Sequence, residues 1–186
     1  YAVRKRLDGG YTISHRHLSV ADIVPSSFRQ FFRFLPALML DPKGLRLRLG
    51  RRFFDEAAMK RRWRPDEPSP FEHVRILGPQ PVRDILDAAQ ASIAEGFPVF
   101  RGAVIAERWA GMIDATPDAV PVISALPQTQ GLYLVSGFSG HGFGLGPGAG
   151  KLAAEMIAGE TPCADPAPFR YTRFFDGSRP KPLAGL

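Results

Sequence analysis

Hydrophobic and polar positions change period several times along the chain, and each change marks an element. Residues 10–17 alternate, which puts Tyr11, Ile13, His15 and His17 on one face of a strand and Thr12, Ser14 and Arg16 on the other. Residues 1–7 are also extended in pattern, and the Asp8-Gly9 dipeptide between the two runs tolerates the positive φ of a tight turn. A β-hairpin therefore opens the chain. From Pro25-Ser26-Ser27 the spacing lengthens to threes and fours: Phe28, Phe31, Phe32 and Leu35 make an apolar helical stripe that Asp41-Pro42-Lys43-Gly44 ends. A second helix over residues 51–63 mixes Phe54, Ala57, Ala58 and Met59 with exposed Arg and Lys. Residues 64–70 form a polar, proline-rich connector, 71–77 read as a strand, and 81–94 as a helix with Val82, Ile85, Leu86, Ala89 and Ile93 on one face and Gly96 beyond its end. Strands follow at 104–113, 120–124 and 132–136. A glycine run, residues 137–150, then leads into a short helix to Ile157, with Pro147 in its first turn and Gly159 as its C-terminal cap. The fold class is α+β.

Composition bounds this picture. At 186 residues with 45% apolar content, the chain can form the core of one domain or of two small ones. Its single cysteine, Cys163, excludes an internal disulfide framework and any cysteine-built metal cage, and points to a reducing, cytoplasmic setting. The most apolar stretch, Phe31 to Leu40, is interrupted by Arg33 and Pro36 and falls short of the roughly 18 residues of a membrane span. His15 and His17, two apart on one strand face, could share a metal, but no carboxylate or cysteine nearby completes a ligand set, so none is expected. The chain opens at Tyr1 with neither methionine nor signal sequence, which reads as a cut.

Charge is unevenly placed: residues 1–64 hold 15 basic and 5 acidic side chains, the remainder 9 and 13. The densest part, residues 43–64, sets nine basic residues against Asp55 and Glu56, with Phe53, Phe54 and Trp63 interleaved. Such a patch could track a phosphate backbone while the rings stack on bases, so a basic module for nucleic acid or an acidic partner is the alternative function. A solvated helix face explains the same residues, and no helix-turn-helix, zinc-finger or aromatic RNA-platform motif accompanies them.

The glycine run is the most informative chemistry. A strand feeding glycines into a helix N-terminus lets a ligand approach the backbone closely, where unpaired N–H groups and the helix dipole favour negative charge. It is not a P-loop, because Gly150-Lys151 is followed by Leu152 and has Leu145, not glycine, five places before Gly150. Residues 144–149 do match GxGxxA, but Pro147 interrupts them and the required β-α-β unit with a following acid is missing. A tight turn that packs the helix on its sheet accounts for the spacing equally well.

Longer motifs narrow the choice. The stretch from Glu107 through Trp109 and Thr116-Pro117-Asp118, then Pro121-Val122-Ile123, then the GFSGHGF of residues 137–143, then Ala153 to Gly159, resembles the C-terminal portion of the D-amino-acid oxidase, glycine oxidase and sarcosine oxidase family. The hairpin residues 8–13 and the tail residues 169–174 are similar to pieces of the same proteins. The resemblance implies an antiparallel-sheet substrate-domain portion over residues 1–102. It implies that residues 103–186 supply the strand, glycine loop and helix of a Rossmann-like FAD domain. The dinucleotide fingerprint of that family lies near the N-terminus and is absent here. The expected identity is thus a C-terminal piece that is inactive alone and takes the missing FAD-binding portion from upstream sequence or from a partner subunit.

By the same resemblance FAD is bound by Ser139, Gly140, His141, Gly142, Phe143, Gly144 and Leu145. Substrate, an amine or amino acid oxidised to an imine, would meet His141 and Tyr11, which matches a family position facing the flavin; His15 is a candidate only because it shares the strand face of Tyr11. No residue is assigned as a catalytic acid or base. Sarcosine oxidases have a lysine where Gly144 stands and a flavin-linking cysteine near the position of Gly111, so noncovalent FAD is expected. Glycine oxidases place arginines where Ile113 and Gly140 stand, so a small amino acid held in that manner is not expected.

Overall fold

The structure, a computed structural model, describes residues 2–14, 18–178 and 180–182. His15 and His17, with the metal and substrate readings attached to them, lie outside the described residues. The chain divides into two units, one of residues 1–28 with 43–112, the other of residues 29–42 with 113–186.

In the first unit the expected hairpin pairs β1 (Ala2–Lys5) antiparallel with β2 (Tyr11–Ser14). Its turn is a three-residue loop closed by the Arg6 amide on the Gly10 carbonyl at 2.8 Å, with Gly9 at φ +86°. A loop of that form requires one left-handed residue, and glycine supplies it. The pattern did not reveal β3 (Ser19–Asp22) and β4 (Leu45–Arg48), which pair in parallel around the helix between them. Asp22 and Arg48 are register partners, and their side chains make a two-pronged ion pair at 2.6 and 3.0 Å. Arg48 holds the Asp22 carboxyl below the usual carboxylate range against the opposing effect of burial.

Helix α1 (Pro25–Leu40) begins with proline in its first turn, where the missing N–H is unneeded. Glu56, on α2 (Arg51–Ala58), accepts the Ser26 amide at 2.9 Å and its hydroxyl at 3.1 Å, placing a carboxylate at the α1 N-terminus. The strand expected over residues 71–77 is a correction. Ser69 and Glu72 form a reciprocal capping box with Pro70 at the first position, so α3 (Pro70–His73) forms and no strand follows it. Helix α4 (Arg83–Gly96) matches the expected periodicity and buries Ala89 and Ile93.

The strand expected over residues 104–113 is a second correction, since these residues pair with no strand among those described, and Val104 and Trp109 are exposed. A strand pattern needs a neighbour to complete its ladder. In the second unit β5 (Val122–Ala125) pairs antiparallel with β6 (Tyr133–Ser136). Helix α5 (Gly142–Ala158) then buries Ala149, Leu152 and Ala153 against Ile123, with Phe138, Met156 and Phe169 around them. This is the core that carries the glycine segment. Gly159, at φ +71°, caps α5 as expected, but the helix starts five residues before Pro147, which sits within it. Most of the glycine run is therefore helix, held in that form by the packing of Ala149, Leu152 and Ala153 and not by propensity.

At its far end α5 is tied to the following turn. Glu155 pairs with Lys151 one helical turn earlier and accepts the Cys163 amide at 2.6 Å. Lys151 first, then Cys163, hold the Glu155 carboxyl down at about 2, from an ordinary value of 4.5. A depressed carboxylate adds stability above its unfolded value and loses it as pH falls through its folded one. Between pH 4.5 and about 2 the thermal midpoint of the wild type is expected to fall more steeply than that of Glu155→Gln. Parallel curves would show that the carboxylate contributes nothing to folding.

Candidate functional site

The site grows from the end of β6. Gly137 follows the strand at φ +73°, Ser139 adopts φ +50° and Gly140 φ +83°, so three left-handed residues fall within four positions. Ser139 is the unusual one, because a side chain disfavours that region by about 1–2 kcal/mol. It is 4% exposed and fully tied down. Its amide donates to the Asp114 carbonyl at 2.9 Å, its hydroxyl donates to the Gly137 carbonyl at 3.3 Å, and the same hydroxyl accepts the Thr116 amide at 3.1 Å. The Asp114 carboxylate accepts the Gly137 amide at 2.7 Å and the Ser136 hydroxyl through the same oxygen. Residues 114–116 thus form a bracket along the glycine segment.

Glycine is required at 137 for a second reason. A Cβ there would lie 2.4 Å from Cγ2 of Thr116, closer than carbon atoms approach. The bracket is anchored in turn. Asp118 and Arg173, with side chains 4% exposed, meet at 2.8 and 3.1 Å. Arg173 also donates to the carbonyls of Val120 at 2.6 Å and Arg170 at 3.0 Å, and its guanidinium lies 4.2 Å from the centre of the Phe174 ring. Burial pushes the Asp118 carboxyl up, but Arg173 and the Val120 amide more than offset it, leaving the group below its ordinary value.

Beyond the bracket the chain turns outward. His141 is the residue before α5, at φ −98° and ψ 5°; its amide donates to the Phe138 carbonyl, and its own carbonyl accepts the Gly144 and Leu145 amides at 3.1 Å. The amides of Gly140, Gly142 and Phe143 have no acceptor among the described residues. Phe143 is 99% exposed, Leu145 is also exposed, and a Cβ on Gly144 would meet nothing within 4 Å. Such a bare backbone surface, with donors that meet no acceptor among the described residues at the positive end of a 17-residue helix, suits a group carrying negative charge.

The structure brings Ser139, Gly140, His141, Gly142, Phe143, Gly144 and Leu145 together as one turn and helix start, with Ser139 as a buried support and the others at the surface. Tyr11 lies in the first unit, half exposed, its ring meeting that of Phe100 edge-on at 5.0 Å. Asp114, Thr116, Ser136 and Arg173 were not singled out from the sequence. Their signal was membership of the same motif blocks, but spacing alone does not say which residues bond across 23 or 55 positions. The basic stretch looks less available than its composition suggests. Six of its nine cations, Arg46, Arg48, Arg51, Arg52, Lys60 and Arg64, are in ion pairs. Among the described residues no group of three or more His, Cys, Asp and Glu side chains could hold a metal, and no helix is long and apolar enough to cross a membrane.

Comparison with known proteins gives this geometry a setting. The family profile described as FAD dependent oxidoreductase matches residues 10–156. Glycine oxidase of Pseudomonas putida is 34% identical over 89 residues, 48% of this chain and 24% of that protein. Sarcosine oxidase subunit beta of an Arthrobacter species is 39% identical over 93 residues, 50% of this chain and 23% of the other. An L-amino acid deaminase of Proteus vulgaris superposes with a TM-score of 0.84 at 30% identity, over 92% of this chain and 40% of that one. The L-amino acid deaminase of Proteus myxofaciens, solved with anthranilate, gives 0.86 at 32% identity, over 92% and 38%. The chain thus spans about a quarter of the curated relatives and two fifths of the solved structures.

Proposed function

Because the chain belongs to the FAD-dependent oxidoreductases, we propose that the complete protein oxidises an amino acid or related amine: the C–H beside nitrogen leaves as hydride, a proton leaves nitrogen, and the resulting imine is hydrolysed by water. Bound FAD supplies the two-electron acceptor for that hydride. The observation that carries the reading is a glycine surface on which the amides of Gly140, Gly142 and Phe143 meet no acceptor among the described residues, within the stretch that matches the family. These amides and the α5 N-terminus would stabilise negative charge gained on the ring system, fixed in advance so that nothing reorganises during reaction. Gly144 keeps that surface bare. Ser139 supports it from within, and His141 and Leu145 border it.

Residues 103–186 act in this reading as the C-terminal part of the FAD domain and residues 1–102 as part of the substrate domain, with Tyr11 and His141 as substrate contacts. The pyrophosphate-binding portion comes from elsewhere in the reading frame or from a partner subunit, and this chain alone is inactive. FAD is held noncovalently in this reading, since glycine stands at position 111, near which sarcosine oxidases carry their flavin-linking cysteine. A cytoplasmic location goes with the single free thiol, that of Cys163. The two deaminase structures favour an amino acid over a simple amine, and the anthranilate bound in one of them suggests a carboxylate-bearing substrate.

Protein expressed from the complete reading frame is expected to carry flavin that is bleached anaerobically by at least one amino acid and released entirely by acid precipitation. A colourless protein, or flavin that no amino acid or N-methyl amine reduces, would sink the proposal. Flavin remaining in the acid pellet would refute noncovalent binding alone.

A further inference from the structure

We propose that Asp114 is a positioning residue for the amides that face the flavin, acting through the glycine segment without touching the cofactor; the proposal rests on the flavin reading above. Asp114 contacts the segment at both ends of its strained part. One carboxylate oxygen takes the Gly137 amide at 2.7 Å and the Ser136 hydroxyl, and the backbone carbonyl takes the Ser139 amide at 2.9 Å. Between and just after these points lie the three left-handed residues, Gly137, Ser139 and Gly140, that swing the chain from β6 into α5. Their conformations set the directions of the next amides, those of Gly140, Gly142 and Phe143, none of which has an acceptor among the described residues to hold it in place.

The chemistry of the side chain matters at this position. Two donors converge on one oxygen, Oδ2, and a charged oxygen accepts them about twice as strongly as a neutral one. An asparagine keeps one oxygen able to take both donors, whereas alanine keeps neither. Asp114 is itself exposed, and its replacement by alanine takes the acceptor from the amide of buried Gly137 and from the half-buried Ser136 hydroxyl while leaving the β5–β6 and α5 core contacts in place. The Thr116–Ser139 bond and the backbone bond from the Ser139 amide to the Asp114 carbonyl remain as ties in the variant.

The test uses flavin-loaded protein from the complete reading frame and reads the cofactor directly. Amides that drift from their positions stabilise the anionic reduced flavin less, while the oxidised flavin loses little. Asp114→Ala is expected to lower the preference for reduced over oxidised flavin about tenfold, a fall of about 30 mV in the two-electron midpoint potential, and to alter the visible absorption envelope. Asp114→Asn should recover most of the wild-type value, and Ser136→Ala, which removes one donor, should shift it in the same direction by less. If Asp114→Ala keeps the wild-type potential and spectrum, the proposal fails, whatever happens to its thermal midpoint. Should Asp114→Ala not fold, an unshifted potential in Ser136→Ala overturns the proposal equally. A wild-type protein that carries no flavin overturns the functional reading itself, a result distinct from any shift among variants.

Discussion

Replacing Arg173 with methionine is expected to destabilise the protein by about 3–5 kcal/mol, measured as a lower urea midpoint with an unchanged slope. The reason is what the substitution leaves behind. Asp118 is 4% exposed at its side chain and relies on Arg173 for both of its strongest contacts. Without the guanidinium a buried carboxylate remains with no cation beside it, and the Val120 and Arg170 carbonyls lose their donors too. The double variant Asp118→Leu with Arg173→Met should recover much of the loss, because a buried ion pair replaced by apolar groups of similar volume is often neutral. If Arg173→Met alone costs less than about 1 kcal/mol, the pair is solvated in solution and the anchoring of residues 114–118 lies elsewhere. Acid should bring out the same dependence. The folded Asp118 value is depressed, so its share of stability is complete above the ordinary value of 3.8 and fades as pH falls through the folded one.

The second large effect is expected at Gly137→Ala. A left-handed conformation disfavours alanine by about 1–2 kcal/mol, and a Cβ at 2.4 Å from the Thr116 methyl adds an overpacking cost of about 1–3 kcal/mol. Together these predict a loss of roughly 2–5 kcal/mol, with flavin retention by protein from the complete reading frame expected to fall at temperatures where the fold survives. Gly148→Ala is the control. It lies within α5 with nothing within 4 Å of its added carbon, so it should stabilise the protein by about 0.5–1 kcal/mol. Equal and small effects at both positions, read from thermal midpoints and from flavin remaining after gel filtration, would mean that the loop is not held against Thr116.

What was legible in the sequence followed from local rules. The hairpin at Asp8-Gly9, the helical periods of α1 and α4 and the glycine cap at Gly159 each depend on residues a few positions apart, and each formed, although Phe28, Phe31 and Phe32 of the α1 stripe are exposed and not core. The capping box of Ser69 and Glu72 is equally local, but Phe71, Val74, Ile76 and Leu77 read together as a strand and mask it. Residues 104–113 show the other kind of failure: their pattern asks for pairing partners that no described residue provides. The parallel β3–β4 pair is not legible in the sequence because Leu45 to Arg48 reads as part of a charge cluster, and only the folded chain sets Arg48 opposite Asp22. At the site, glycines and family motifs located the loop. They did not disclose the supports, because Asp114 to Gly137 and Asp118 to Arg173 are long-range choices among many polar residues with the same bonding capacity.

Helix α5 combines two halves of opposite character. Its second half packs Leu152 and Ala153 into the core, while its first carries Gly142, Gly144, Gly146, Gly148 and Gly150 together with Pro147. Relative to alanine those five glycines weigh against helix by roughly 4–5 kcal/mol, and Pro147 cannot donate to the Phe143 carbonyl. Local opening is therefore far easier in the first half than in the second, and amide exchange along one helix should be graded from fast to slow. A ligand seated on the opening turns would suppress that fluctuation. Part of its binding free energy would go into quieting the helix, so occupancy of the site and rigidity of α5 rise together.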